Sequence, residues 1–129
     1  MHALTVLRTA VRAFVSVESF IIPPIILLVG PPACGKTVAT DVVCREAGLK
    51  QVHLHGFSSH MYEHLPREPR VVLTIQVSYK MTPKRWALLN YRRPKGVLVI
   101  LHGLPEYFNL PPRSQMVSMI SSFGKEVEA

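Results

Sequence analysis

Two cysteines in 129 residues are too few for a disulfide scaffold. Cys34 falls in a glycine-rich stretch and Cys44 about two turns into the helix expected after it, so the pair should point apart. That usage suits a reducing, intracellular setting, nuclear or cytoplasmic. Aspartate is scarcer still, with Asp41 the only one. Lysine and arginine total 15 against 8 acids, a net charge of +7, which directs attention to polyanionic partners: nucleotide, nucleic acid or an acidic surface. No run of about 18 clean apolar residues occurs. The most hydrophobic window, residues 10–29, is interrupted by Arg12, Glu18 and Pro23-Pro24, which argues against a membrane span. Internal repeats and low-complexity linkers are missing as well. With 48% hydrophobic and 18% charged residues, the chain reads as one folded domain with a real core.

What is present alternates. Leu4, Leu7, Val11, Phe14 and Val15 recur at helical spacing with Arg8 and Arg12 on the polar side, so residues 1–22 are expected to carry an amphipathic helix. The same arginines and hydroxyls, with no acid before Glu18, also fit an organelle transit peptide, which keeps a mitochondrial destination open. Residues 23–129 then read as the domain proper. "IILLV" (25–29) is a short apolar run fit for a strand buried on both faces. A helix is expected over Lys36–Ala47 with Gly48 as its C-cap, and a short strand at Gln51–Leu54. Residues 55–69 read as a loop and Arg70–Val77 as a second strong strand. A helix should start at Thr82, with Pro83 in its first position, and Gly96–Leu101 should form the third strong strand. The tail from Asn109 is ambiguous. Strands alternating with helices predict an α/β sandwich with a mostly parallel central sheet. Three strong strands are few for that class, and the expectation is of a fragment or a trimmed domain.

The stretch Gly30-Pro31-Pro32-Ala33-Cys34-Gly35-Lys36-Thr37 matches G-x-x-x-x-G-K-[ST] in full. Each fixed position has a chemical reason. Gly30 and Gly35 permit the backbone angles that turn successive N–H groups toward a phosphate. Lys36 supplies a compact cation for the β- and γ-phosphates, and the Thr37 hydroxyl is a ligand for Mg²⁺. The helix beginning there adds its positive end to the same anion. An apolar strand before the loop and a helical pattern after it supply the context the motif needs. Residues Gly30 through Val38 are therefore the expected nucleotide contacts, with ATP and Mg²⁺ as cofactors. Cys34, beside a lysine and a helix start, reads as a small spacer in the loop more than as a redox sensor.

Hydrolysis asks for an acid at the end of a neighbouring strand and a second one to activate water. "VVLTIQV" offers Thr74 and Gln76 instead, and "VLVIL" runs into His102, Gly103 and then Glu106. Asp41 lies within the helix after the loop. Glu106 is the nearest substitute, so the binding half of the apparatus is complete and the hydrolytic half is altered.

"GPPACGKT" is similar to the GPPGTGKT form of AAA+ ATPases and superfamily 3 helicases. "HGFSSHMYEHLPREPRVVLTIQVSYKMTPKRWALLNY" resembles the segment leading into the acidic Walker B strand of replication-initiator (Rep) proteins of circular single-stranded DNA viruses. "VLVILHGLPEYFNLPPR" resembles their motif C. The resemblance spans about residues 25 to 120 and implies a P-loop NTPase sandwich linked to DNA replication, of degenerate or truncated form. It implies that Lys36 and Thr37 contact nucleotide, that Thr74 stands at the Walker B aspartate and His102 at the sensor asparagine. It also implies that Arg113 reaches a neighbouring subunit's γ-phosphate in a ring of identical copies. An AAA+ alignment that puts "VLVILHGLPE" on Walker B instead replaces the aspartate by His102. Either way the acid is absent.

His60-Met61-Tyr62-Glu63-His64 matches the zinc signature H-x-x-E-H, with His53 and His55 nearby, but it lies among prolines and serines, and a polar loop near phosphate is the plainer reading. "KMTPKRWALLNYRRPK" interleaves basic residues with Trp86 and Tyr91, a pattern suited to single-stranded DNA or equally to a helix with a solvated basic face and a buried tryptophan. Three function classes follow: an ATP-binding helicase-like domain, a small-molecule or nucleotide kinase using "HLHGFSSHMYEHL" for its acceptor, and a non-catalytic nucleotide-binding module.

Overall fold

The computed structural model describes residues 2–16, 25–30, 35–78, 80–91, 93–104 and 117–120. Along the chain these form α1 (His2–Val15), β1 (Ile25–Val29), α2 (Lys36–Ala47), β2 (Lys50–His55), β3 (Val71–Gln76), α3 (Pro83–Tyr91), β4 (Val97–Leu104) and β5 (Val117–Ile120). The five strands make one sheet in the order β2-β3-β4-β1-β5, and every neighbouring pair is parallel. The fold is the α/β sandwich that the alternation predicts. Its first strand is buried from Ile25 to Val29, at no more than 1% exposure, as a central strand covered on both faces must be.

Period-two geometry divides the core into two layers. On one face Ile26 and Leu28 of β1, Val72 of β3, and Leu98 and Ile100 of β4 meet Leu7, Val11 and Phe14 of α1 and Val43 and Cys44 of α2. On the other, Ile25, Leu27, Leu73, Ile75, Val99 and Leu101 meet Met61 and the α3 residues Trp86 and Leu89. The crossover from β1 through α2 to β2 passes two strands in one direction, while β3 through α3 to β4 steps back in the other. Crossovers of a single hand then place α2 and α3 on opposite faces.

Local chemistry sets the ends of these elements. The α1 stripe fixes which side of that helix is buried, and Arg8 ties it to α2 by donating to Glu46 at 2.9 and 3.3 Å. Arg70, just ahead of β3, donates to the carbonyls of Phe14 (3.1 Å) and Ser16 (3.4 Å), satisfying acceptors that the end of a helix leaves open. Gly48 caps α2 in the left-handed region, as its position predicts. The Thr82 hydroxyl accepts from the Arg85 N–H at the head of α3, with Pro83 in the first helical position. Two differences from the sequence expectation exceed a single residue. β4 continues past Leu101 through His102 to Leu104, because Val77 N–H donates to the His102 carbonyl at 2.8 Å and keeps the ladder going. β5 occupies part of the tail that was ambiguous by pattern.

Candidate functional site

β1 and β4 are adjacent, and their onward connections leave in opposite directions: β1 leads to β2 past β4 and β3, β4 to β5 past β1. In open α/β sheets the crevice at the carboxyl ends of such a pair is where ligands bind. The glycine-lysine motif stands at that point. Gly30 is buried at the end of β1. Gly35 has φ +87°, with open space around its Cα, and hands the chain directly to α2. A side chain there would be strained by the left-handed backbone alone. The Ala39 N–H donates to the Gly35 carbonyl at 2.9 Å, closing the first turn.

Lys36 is only 7% exposed, and its Nζ donates to the Gly30 carbonyl at 2.9 Å. The loop's entry and exit are thereby held together by the motif's own cation. Thr37 is exposed at the head of the helix, while Val38 is 66% exposed. Among the expected site residues, the structure thus brings together Gly30, Gly35, Lys36 and Thr37. Pro31, Pro32, Ala33, Cys34, Glu106 and Arg113 lie outside the described residues.

Beside the loop, on the face that carries α2, the carboxyl ends of the strands turn polar. Parallel register sets His53 of β2 opposite Thr74 of β3, and His55 opposite Gln76, which in turn pairs with His102 of β4. Thr74 is fully buried, and its Oγ1 accepts from Gln51 Nε2 at 2.8 Å. It therefore serves as an internal acceptor in mid-strand, whereas Gln76 is the β3 side chain exposed at the strand's end. His53 Nε2 lies 3.2 Å from Asp41 Oδ1, closing α2 onto β2. Asp41 is four residues beyond Thr37 on the same helix, so the two share one side of it.

His102 is 8% exposed, and its Nε2 is buried without a hydrogen-bond partner. Its ring stands 6.5 Å from that of His53, nearly perpendicular at 86°. Burial first, then the neighbouring His53, Lys36 and His55, push the His102 imidazole below its ordinary range, with Asp41 opposing. The leading causes favour the neutral form of the ring. Gly103, at φ +86°, fixes the backbone beside it: a Cβ there would come within 2.5 Å of the Val77 carbonyl oxygen. This polar row escapes a search for acids, yet it is legible as alternation, with Gln51, His53 and His55 two apart and Thr74 and Gln76 likewise.

The other candidates resolve differently. Residues 60–64 form turns rather than a helix, and His60 Nδ1 lies 3.0 Å from Glu63 Oε1. No group of three or more His, Cys, Asp or Glu among the described residues is arranged to hold a metal ion. Trp86 is 3% exposed and belongs to the core, which leaves Lys80, Lys84 and Lys95 exposed without its ring as a stacking partner. No helix among the described residues is long and apolar enough to cross a membrane. A cavity of about 280 Å³ lies against β2, lined in part by His55, Phe57, His60 and His64.

Comparison with protein-family models gives no match, and comparison with curated proteins gives none.

Proposed function

We propose that this chain is an ATP-binding P-loop domain of helicase or AAA+ type, acting in DNA replication, in which nucleotide binding is retained and hydrolysis is weak. One observation carries the reading: an ammonium buried at the start of α2, hydrogen-bonded to the carbonyl that ends β1, at the sheet's switch point. Burying an ammonium costs several kcal/mol after relaxation. A lysine kept there is best explained by an anion that it meets. The first N–H groups of α2 and the left-handed Gly35 serve the same anion. The Thr37 hydroxyl is suitably placed for a phosphate-bound ion. At the strand ends, however, Gln76 and His102 stand where Mg²⁺ prefers a carboxylate. That donor set does not fit Mg²⁺.

Titration of the purified chain with a fluorescent ATP analogue, beside Lys36→Ala, tests the reading. Binding abolished by the substitution supports it. Binding that survives, or none at all, overturns it. Turnover stimulated by single-stranded DNA would support the replicative assignment, whereas binding without turnover favours the non-catalytic module. The kinase reading has one observation in its favour, the cavity beside β2 lined by the residues suggested for an acceptor. Phosphate transfer to an added small acceptor would select it.

A further inference from the structure

β2 is an edge of the sheet, and its outer side is open. We propose that β2 receives an extended acidic peptide of a partner protein as a further strand, with apolar residues of that peptide seated in the cavity of about 280 Å³ beside it.

The open side follows from register. In a parallel ladder, alternate residues send both N–H and C=O to the same neighbour. The Gly56 N–H donates to the Gln76 carbonyl at 3.0 Å, so Val52 and Leu54, of the same parity, turn their backbone groups to β3. Gln51, His53 and His55 turn theirs away, to the side where no strand of the sheet lies. Among the described residues no backbone hydrogen bond reaches those outward groups. Natural edges are usually blunted by a bulge, a proline or charge. β2 keeps an unbroken register from Lys50 to His55, has no proline, and carries its one lysine at the first position.

An added strand alternates its side chains as β2 does. Those on the side of Val52 and Leu54 meet the cavity, which Phe57, Met61 and Leu65 also wall, and this selects apolar residues at every second position. Charge selects the rest. The basic groups on β2 and around the cavity are Lys50, His53, His55, His60 and His64. His53 engages Asp41 at 3.2 Å and His60 engages Glu63 at 3.0 Å. Lys50, His55 and His64 remain exposed, with no ion pair among the described residues. Acidic residues between the apolar ones complement them. A second copy of this chain would instead bring the same basic groups to the same edge, where like charges set opposite one another are destabilising.

The test selects random ten-residue peptides, displayed on phage, against the immobilised full chain; selected sequences are then synthesised with a fluorophore for anisotropy. They are expected to alternate apolar residues with aspartate or glutamate and to lack proline between them. His55→Pro removes one outward N–H without breaking the β3 ladder, as an edge position allows, and should raise Kd about 10-fold or more. His55→Ala, which keeps that N–H, should raise it less. N-methylation of every second peptide residue should abolish binding in one parity and spare the other. That measurement uses the native chain and decides the matter even where His55→Pro disturbs the fold. Failure to select any peptide overturns the proposal, as do selected peptides without acids or with N-methylation tolerated in both parities. Unchanged affinity in a folded His55→Pro variant also overturns it. Sedimentation of the native chain as a dimer that His55→Pro returns to monomer would assign the edge to a second copy and overturn it too.

Discussion

Replacing Lys36 by methionine separates function from stability. The substitution keeps most of the buried methylene stem and removes the ammonium with its contacts, the hydrogen bond to the Gly30 carbonyl among them. Losing that partner exposes a carbonyl to a penalty of about 1–3 kcal/mol, while removing a buried ammonium recovers several kcal/mol of desolvation. The second effect is the larger, so the ligand-free variant should be at least as stable as the native chain. With ATP the order reverses. At a concentration 100 times Kd, ligand stabilises the native chain by about 2.7 kcal/mol, close to a 10 °C rise in Tm at roughly 4 °C per kcal/mol for a domain of this size. Loss of a buried charged contact to phosphate costs about 3 kcal/mol, within the range for such pairs, and weakens Kd about 140-fold. The same ATP then adds only about 0.3 kcal/mol, or roughly 1 °C. Thermal melts of both proteins, with and without ATP, are the assay. A variant destabilised by more than about 2 kcal/mol without ligand would show that Lys36 is a structural residue. An undiminished ATP shift would show that it does not touch phosphate.

Other positions make sharper structural claims. Gly103→Ala meets both a positive φ and a backbone oxygen at 2.5 Å, and should cost about 2–4 kcal/mol by urea denaturation. Gly48→Ala has open space at φ +70° and should cost only the conformational part, about 1–2 kcal/mol; equal losses would refute the close approach. The Cys44 thiol is pushed up to about 11, by burial and then by Asp41. In a Cys34→Ser background it should resist thiol reagents until the chain unfolds. Because its folded value exceeds the ordinary 9.0, the stability it contributes is complete below pH 9.0 and is lost as pH rises toward about 11. Trp86, the only tryptophan, should report unfolding through its fluorescence, whereas quenching of the folded protein by single-stranded DNA would contradict its place in the core.

The legibility of this sequence follows the range of the forces involved. β1, β3 and β4 are visible as apolar runs because both their faces are covered, and α2 is framed by two glycines whose backbones only glycine adopts easily. The H-x-x-E-H match has the spacing of a helical pair but, in a segment with Pro66 and Pro69 close by, forms turns. Strand order is another matter. Nothing local sets β5 beside β1, since that neighbour is chosen by how a later crossover packs. The Asp41–His53 contact is hidden for the same reason: twelve residues and a helix-to-strand turn separate the partners. His102 reads in sequence as the residue that ends an apolar run, yet the β3 ladder reaches it at Gln76 and β1 pairs beyond it at Leu104.

The face under α1 and α2 is apolar through Ile26, Leu28, Val72, Leu98 and Ile100, so a sheet built for stability alone would continue that way to the strand ends. Instead the chain buries Lys36, Thr40, Thr74 and His102. Thr74 and Thr40 are satisfied within the protein, by Gln51 and by the Lys36 carbonyl. His102 Nε2 has no such partner. Apolar residues of similar shape in place of buried polar networks are often neutral or stabilising, and local departures from the most stable choice gather at functional sites. Among the described residues the buried polar side chains gather at the carboxyl end of one face, next to the glycine-lysine loop, while the other unpartnered buried atom, Arg93 Nε, lies near the start of β4. A purely structural histidine would be paired, as Thr74 is. One left open beside a buried ammonium lies where the phosphate-loop proposal places its ligand.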